Sequence, residues 1–193
     1  MEVARRTGLG FENLANANPD IDPWLPPQGT KLMLPTQTIL PAGAGRGLTI
    51  NLAEMRLYAF LPQSSEILVY PLGIGREGRN TPEGTFKVIN KKVNPIWRVP
   101  AGLREEDPSL PRLVHPGPDN PLGSYWLGLT APGYGIHGTN RPFGVGRKVS
   151  YGCLRMYPEH IEALFPMVAP GTPVRIVYQP AKAAKAFEMG LRK

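Results

Sequence analysis

Proline and glycine recur so often along this chain, 23 and 22 times in 193 residues, that long helices have little room in it. Proline removes a helical N–H and clashes with the preceding turn, and glycine costs a helix backbone entropy. The two are spread along the chain with no low-complexity repeats, so they read as turns between many short strands. With 41% hydrophobic and 19% charged residues, enough apolar side chain remains to build a core. The expected class is mainly β with one or two short helices, and the length suits one medium domain plus a small segment.

Patterning places the elements. Residues 48–52, 56–61 and 66–73 read as three consecutive strands. Leu57, Ala59 and Leu61 alternate there with Arg56, Tyr58 and Phe60, as on a sheet with two unlike faces. Thr81-Pro82-Glu83-Gly84 is a turn into a strand at 85–93, and further strands are expected at 125–130, around 135–137 and at 174–179. One helix starts at Pro158, carries an apolar stripe of Ile161, Leu164, Phe165 and Val168, and is ended or kinked by Pro166. Residues 94–124 are too long for a mere connection and read as a lid, a binding loop or a disordered insertion. Ahead of the main domain, residues 2–17 are weakly helical and broken at Gly8 and Gly10. A Pro-rich loop follows, ending in an apolar run at 31–34. The expected division is a segment 1–37, a linker 38–47, a main domain 48–180 and a tail 181–193 with few apolar anchors.

Charge and composition exclude several functions. The net charge is +7, but Lys and Arg are scattered singly or in pairs, with no nucleic-acid-binding module. Solvated surface charge is the first reading and attraction to an anionic polymer such as a cell wall the second. No apolar run is long enough to span a membrane. The first twenty residues lack a signal-peptide core, so the chain is read as cytosolic or as having lost an export signal. A single cysteine allows no internal disulfide. No HExxH or CxxC spacing is present, so a metal site built from His115, His137 and Cys153 is set aside, and no cofactor is expected.

One cysteine and three histidines are the strong nucleophile and base candidates. Cys153 lies in Ser150-Tyr151-Gly152-Cys153-Leu154-Arg155-Met156 and His137 in Tyr134-Gly135-Ile136-His137-Gly138-Thr139-Asn140. Both are flanked by glycines, which let a ligand approach the backbone. A free cysteine is more often an inert buried hydrophobe, and a lone histidine more often structural. His115 in the long loop and His160 on the helix read as surface residues, with a place in a lid as the alternative for His115.

The combination of His-Gly-Thr, a sixteen-residue step from His137 to Cys153, and Ser-x-Gly-Cys-Leu-Arg-Met resembles the YkuD-type L,D-transpeptidase family. The resemblance runs over residues 48–179 and takes in Tyr70-Pro71-Leu72-Gly73-Ile74-Gly75, Thr81-Pro82-Glu83-Gly84-Thr85-Phe86 and Gly171-Thr172-Pro173-Val174. Many members carry His where Tyr151 stands, so a role for that His does not carry over, and Leu154 replaces the commoner Ile or Val. Residues 14–35 also resemble the second half of a LysM module, through Ala17-Asn18, Pro19, Pro27, Gly29 and Pro35. The enterobacterial-type subgroup pairs such a module with this domain. The implied fold is a YkuD-like β-sandwich preceded by a truncated LysM-like α/β segment, and the implied location is the periplasm.

The resemblance also implies a chemistry. Cys153 would be the nucleophile and His137 the base, giving a thiolate–imidazolium pair, with the Gly138 carbonyl fixing the imidazole tautomer. The substrate would be a peptidoglycan tetrapeptide stem. The thiolate attacks the carbonyl of the third residue, D-alanine leaves, and an amine resolves the thioester as a cross-link or a bond to a wall-attached lipoprotein. Backbone N–H groups at Gly152 and Cys153 would hold the oxyanion. Arg155 would pair with a stem carboxylate or form a structural ion pair. Ser150 would touch substrate or close its turn, and Tyr134 and Trp126 would line the groove or pack in the core. Two rival readings stay open: an L,D-carboxypeptidase or hydrolase on the same scaffold, and a non-catalytic peptidoglycan-binding protein.

Overall fold

A computed structural model describes residues 1–62 and 64–183. Two short helices open the chain, α1 (Glu2–Arg6) and α2 (Phe11–Asn16), separated at Gly8, which takes a φ of +67°. The strands that follow are β1 (Gly47–Asn51), β2 (Arg56–Phe60), β3 (Leu68–Pro71), β4 (Ile74–Gly75), β5 (Gly84–Val93) and β6 (Trp97–Arg98). Helix α3 (Ala101–Glu106) and strands β7 (Leu113–Val114), β8 (Tyr125–Leu129), β9 (Gly135–His137), β10 (Lys148–Ser150) and β11 (Leu154–Arg155) come next. Helix α4 (Pro158–Leu164) runs into a 3-10 turn holding Pro166, and β12 (Pro173–Val177) closes the sheet.

Eight strands form one curled sheet in the order β11-β9-β8-β5-β12-β1-β2-β3. The long β5 makes the curl. Its first half pairs with β12 along one edge and its second half with β8 along the other, with a register shift between Val88 and Asn90. A bulge bends a strand and raises its twist, so the two halves of the sheet fold over one core. Leu48, Ile50, Leu57 and Ala59 from one half meet Leu127, Leu129, Ile136 and Leu154 from the other, with Ile161 and Leu164 of α4 closing one side.

The structure departs from sequence patterning at β2 and at His160, and resolves what patterning left open at residues 31–34 and 94–124. The Arg56 and Tyr58 face of β2, expected to be unlike the core face, is also buried. Residues 35–39 lie across it: Arg56 donates to Pro35 O at 3.0 Å, and Tyr58 Oη meets Thr38 and Glu54. Residues 35–42, from the end of the expected segment into the expected linker, form a strap. Lys182 ties it down, contacting Ile39 O and pairing with Glu54 at 2.5 Å, and Arg175 donates to Ala42 O. Residues 31–34 form no strand. Having no strand edge to join, Met33 bonds through its backbone to the Asn18 side-chain amide, at 2.8 and 2.9 Å. The 94–124 excursion is ordered: it holds the β6–β7 hairpin and α3, and buried Asn120 bonds to the carbonyls of Pro95, Val114 and His115. His160, read as a surface residue, packs against Tyr70 and Tyr157 at ring distances of 5.1 and 5.3 Å. Most of the expected tail lies outside the described residues.

Candidate active site

Register brings the chemistry-bearing residues into one row. Lys92 of β5 lies opposite Trp126 of β8, Trp126 opposite His137 of β9, and His137 opposite Arg155 of β11. Directly paired residues share a face of the sheet, so four neighbouring strands present Lys92, Trp126, His137 and Arg155 side by side. Cys153 precedes β11 and sits at the end of this row. The Trp126 ring stacks on the His137 ring at 5.8 Å and 21°, and its Nε1–H donates to Asn90 Oδ1. Residue 135 must be glycine beneath it: a Cβ there would stand 2.4 Å from the indole.

The cysteine turn is fixed from several sides. Ser150 Oγ donates to Cys153 O at 2.6 Å and accepts from Gly152 N–H at 3.1 Å. Thr81 Oγ1 donates to Gly152 O at 2.7 Å and accepts from Gly75 N–H, so the Thr-Pro-Glu-Gly turn braces the nucleophile turn from below. Gly152 has a φ of +104°, and a Cβ there would meet the Tyr134 ring at 2.6 Å. Both facts exclude a side chain. Two expectations change as a result. The Gly152 N–H is already satisfied by Ser150, which leaves the Cys153 N–H, without a partner among the described residues, as the free donor at the turn. Tyr134 packs against the core and under Gly152 and does not line the cleft. The Ser150 hydroxyl closes its turn.

His137 is buried, and its Nδ1–H donates to Gly138 O at 2.6 Å. That bond leaves Nε2 as the unprotonated ring nitrogen. Burial, reinforced by the positive charge of Arg155, pushes the His137 pKa down to about 3. Burial pushes the Cys153 thiol up, against the opposing pull of a Gly135 backbone bond and of Arg155. Both shifts favour the uncharged forms, a thiol and a neutral imidazole. The Cys153 sulfur also contacts Gly133 O at 3.6 Å.

Cys153, His137, Trp126, Ser150 and Arg155 all line one open cleft of about 380 Å³. Its far wall comes from the 94–124 excursion: Ile96, Trp97, Arg98, Leu103 and Leu122. Arg155 has no acidic partner among the described residues, and its Nε is buried without an acceptor, so the expected alternative of a structural ion pair is absent there. His115 is exposed and is not among the residues that line the cleft, and no group of three His, Cys, Asp or Glu side chains among the described residues is placed to hold a metal. Sequence reasoning missed Thr81, Asn90, Lys92 and the Trp97–Arg98 strand. The Thr-Pro-Glu-Gly turn was visible, but what Thr81 touches was not.

A thiol and a histidine of fixed tautomer that line one cleft at the edge of a curled sheet are equipment for acyl transfer through a cysteine. Comparison with known proteins narrows that class. The L,D-transpeptidase catalytic domain (YkuD) matches residues 45–176, and the chain belongs to this family. It is 40% identical to the protein named Probable L,D-transpeptidase YcfS of Escherichia coli K12, over 94% of this chain and 59% of that one. It is 43% identical to that organism's Probable L,D-transpeptidase YbiS, over 91% and 58%. The chain thus spans under three fifths of the length of these relatives. Solved structures share the fold: an L,D-transpeptidase of Enterococcus faecium (TM-score 0.52, 21% identity, 68% of this chain and 49% of that one) and one of Mycobacterium smegmatis (0.53, 20%, 67% and 57%).

Proposed function

We propose that this chain is the catalytic part of a periplasmic L,D-transpeptidase acting on peptidoglycan tetrapeptide stems, with residues 48–180 as the catalytic domain and residues 1–37 as a LysM-derived arm. The observation that carries the reading is that Cys153 and His137 open onto the same cleft while the Gly138 carbonyl holds the imidazole tautomer.

The roles follow from the chemistry. His137 Nε2 takes the thiol proton as the sulfur attacks the carbonyl of the third stem residue. Charge then appears in a site that disfavoured it at rest, so substrate must displace water and bring its own compensation. The Cys153 N–H is the donor for the oxyanion. Arg155 receives a substrate carboxylate and steadies the developing thiolate. Collapse expels D-alanine, which leaves as its amine with the proton returned by His137, and a thioester remains on Cys153. A second amine, from another stem or from a lipoprotein lysine, attacks that thioester and releases the thiol. Water in its place gives the L,D-carboxypeptidase outcome.

Mass spectrometry tests this reading. Incubation with a carbapenem is expected to add one stoichiometric adduct that maps to Cys153 and is absent in Cys153→Ala. An adduct elsewhere, or none, rejects the assignment and favours a pure binder. Tetrapeptide stems supplied with an amine acceptor are expected to yield the amide and free D-alanine. Tripeptide as the sole product identifies the hydrolase instead.

A further inference from the structure

We propose that Lys92 and Arg98 form a second carboxylate-binding subsite in the cleft, selecting donor peptides that carry free carboxylates besides the C-terminal one. The proposal rests on the stem-peptide reading of the cleft and adds to it which stems the enzyme takes.

The cleft is cationic with no compensation. Its lining includes Lys92, Arg98 and Arg155 and not one Asp or Glu. None of the three takes part in an ion pair among the described residues. Nearby cations are treated differently. Arg76 and Arg79 are both neutralised by Glu106, at 2.9 and 2.5 Å, and Lys91 donates to Phe165 O and lies over the Phe165 ring. Lys92 and Arg98 are exposed on the cleft lining, so an entering anion meets positive charge that no carboxylate of the protein offsets.

The spacing suits a peptide. Lys92 and Arg155 end the transverse row that runs through Trp126 and His137, three strand spacings apart, or about 14 Å between backbones. Four extended residues span about 13 Å. With the carbonyl of the third residue at Cys153, the three residues on its acyl side cover about 10 Å of the row in the direction of Lys92. Arg98, on β6, faces the same groove from the excursion that forms its opposite wall. One carboxylate near the sulfur meets Arg155, and a second, farther along, meets Lys92 and Arg98.

The experiment compares two tetrapeptide donors of equal length. One has all carboxylates free, and in the other every carboxylate except the C-terminal one is amidated. For the unaltered chain kcat/KM is expected to favour the free acid by about tenfold, carried in KM and shrinking as NaCl rises. In the Lys92→Gln, Arg98→Gln double variant that ratio is expected to fall toward one. A purely structural role would slow both donors alike and leave the ratio intact, which overturns the proposal, as does an unaltered chain that treats the two donors equally. If the unaltered chain consumes neither donor, the stem-peptide reading fails together with the subsite. Alkylation of Cys153 by neutral iodoacetamide at the unaltered rate confirms that the double variant keeps its nucleophile turn.

Discussion

At the scale of single residues, His137 carries the sharpest consequence. Its folded pKa of about 3 lies below the unfolded value near 6.5. A histidine held neutral contributes stability that is complete above pH 6.5 and is lost as pH falls from there toward 3, because the unfolded chain takes up the proton first. The size at stake is on the order of 5 kcal/mol. Urea unfolding between pH 7 and pH 4 is expected to show a steep loss. His137→Gln, whose amide keeps a donor for Gly138 O, is expected to flatten that loss while removing activity. Equal slopes in the two proteins reject the assignment. The motifs around Cys153 and His137 were legible because each is a short word in the chain. Lys92 and Asn90 were not, because they join the site only through a cross-strand register that periodicity does not fix.

Among the elements, the 94–124 excursion is where sequence said least and the structure adds most. Its proline content announced a non-regular segment, yet short strands such as β6 and β7 and a six-residue helix fall below what patterning resolves. The excursion is bound to the body near the site through Glu106 of α3. That carboxylate accepts from Tyr151 Oη at 2.9 Å and pairs with Arg76 and Arg79, while the Arg76 guanidinium lies 4.6 Å from the centre of the Tyr151 ring. Tyr151 stands two residues before the nucleophile, so the wall of the cleft and the cysteine turn share one latch. Exposed pairs add little global stability. Glu106→Gln is therefore expected to leave the melting temperature within about 2 °C while amide exchange in residues 95–122 speeds up several-fold, measured by hydrogen–deuterium exchange. Unchanged exchange there rules the latch out. The bulge in β5 was equally hidden: an extra residue in a strand still reads as strand, and only the change of pairing partner shows that the sheet folds there.

For the molecule as a whole, the sequence divided the chain at its Gly- and Pro-rich stretches, and the contacts cross those divisions. Ala4 and Leu9 of the N-terminal segment are buried. Leu9 O accepts from Tyr157 Oη at 3.1 Å, and the Phe11 and Glu12 N–H groups donate to the carbonyls of Val145 and Gly146. Arg5 forms a two-pronged pair with Glu159 on α4. Gly10 and Gly146 approach so closely that a Cβ on either would strike the other's backbone. Composition marks where a chain turns, not whether the piece beyond the turn comes back to pack, and this one does. A truncation beginning at residue 45 keeps the whole matched catalytic domain yet strips cover from Tyr157, Val145 and the outer face of β2. Losing the burial of about two apolar side chains and their bonds is worth ~3 kcal/mol, or roughly 6–12 °C in a domain of this size. Calorimetry of the truncated and full chains is expected to show a drop of that order. Since none of the removed residues lines the Cys153 cleft, carbapenem acylation at 20 °C is expected to continue at a comparable rate. An unchanged melting temperature makes the arm an independent appendage, whereas a loss of acylation at a temperature where the truncated protein is still folded extends its influence to the cysteine turn.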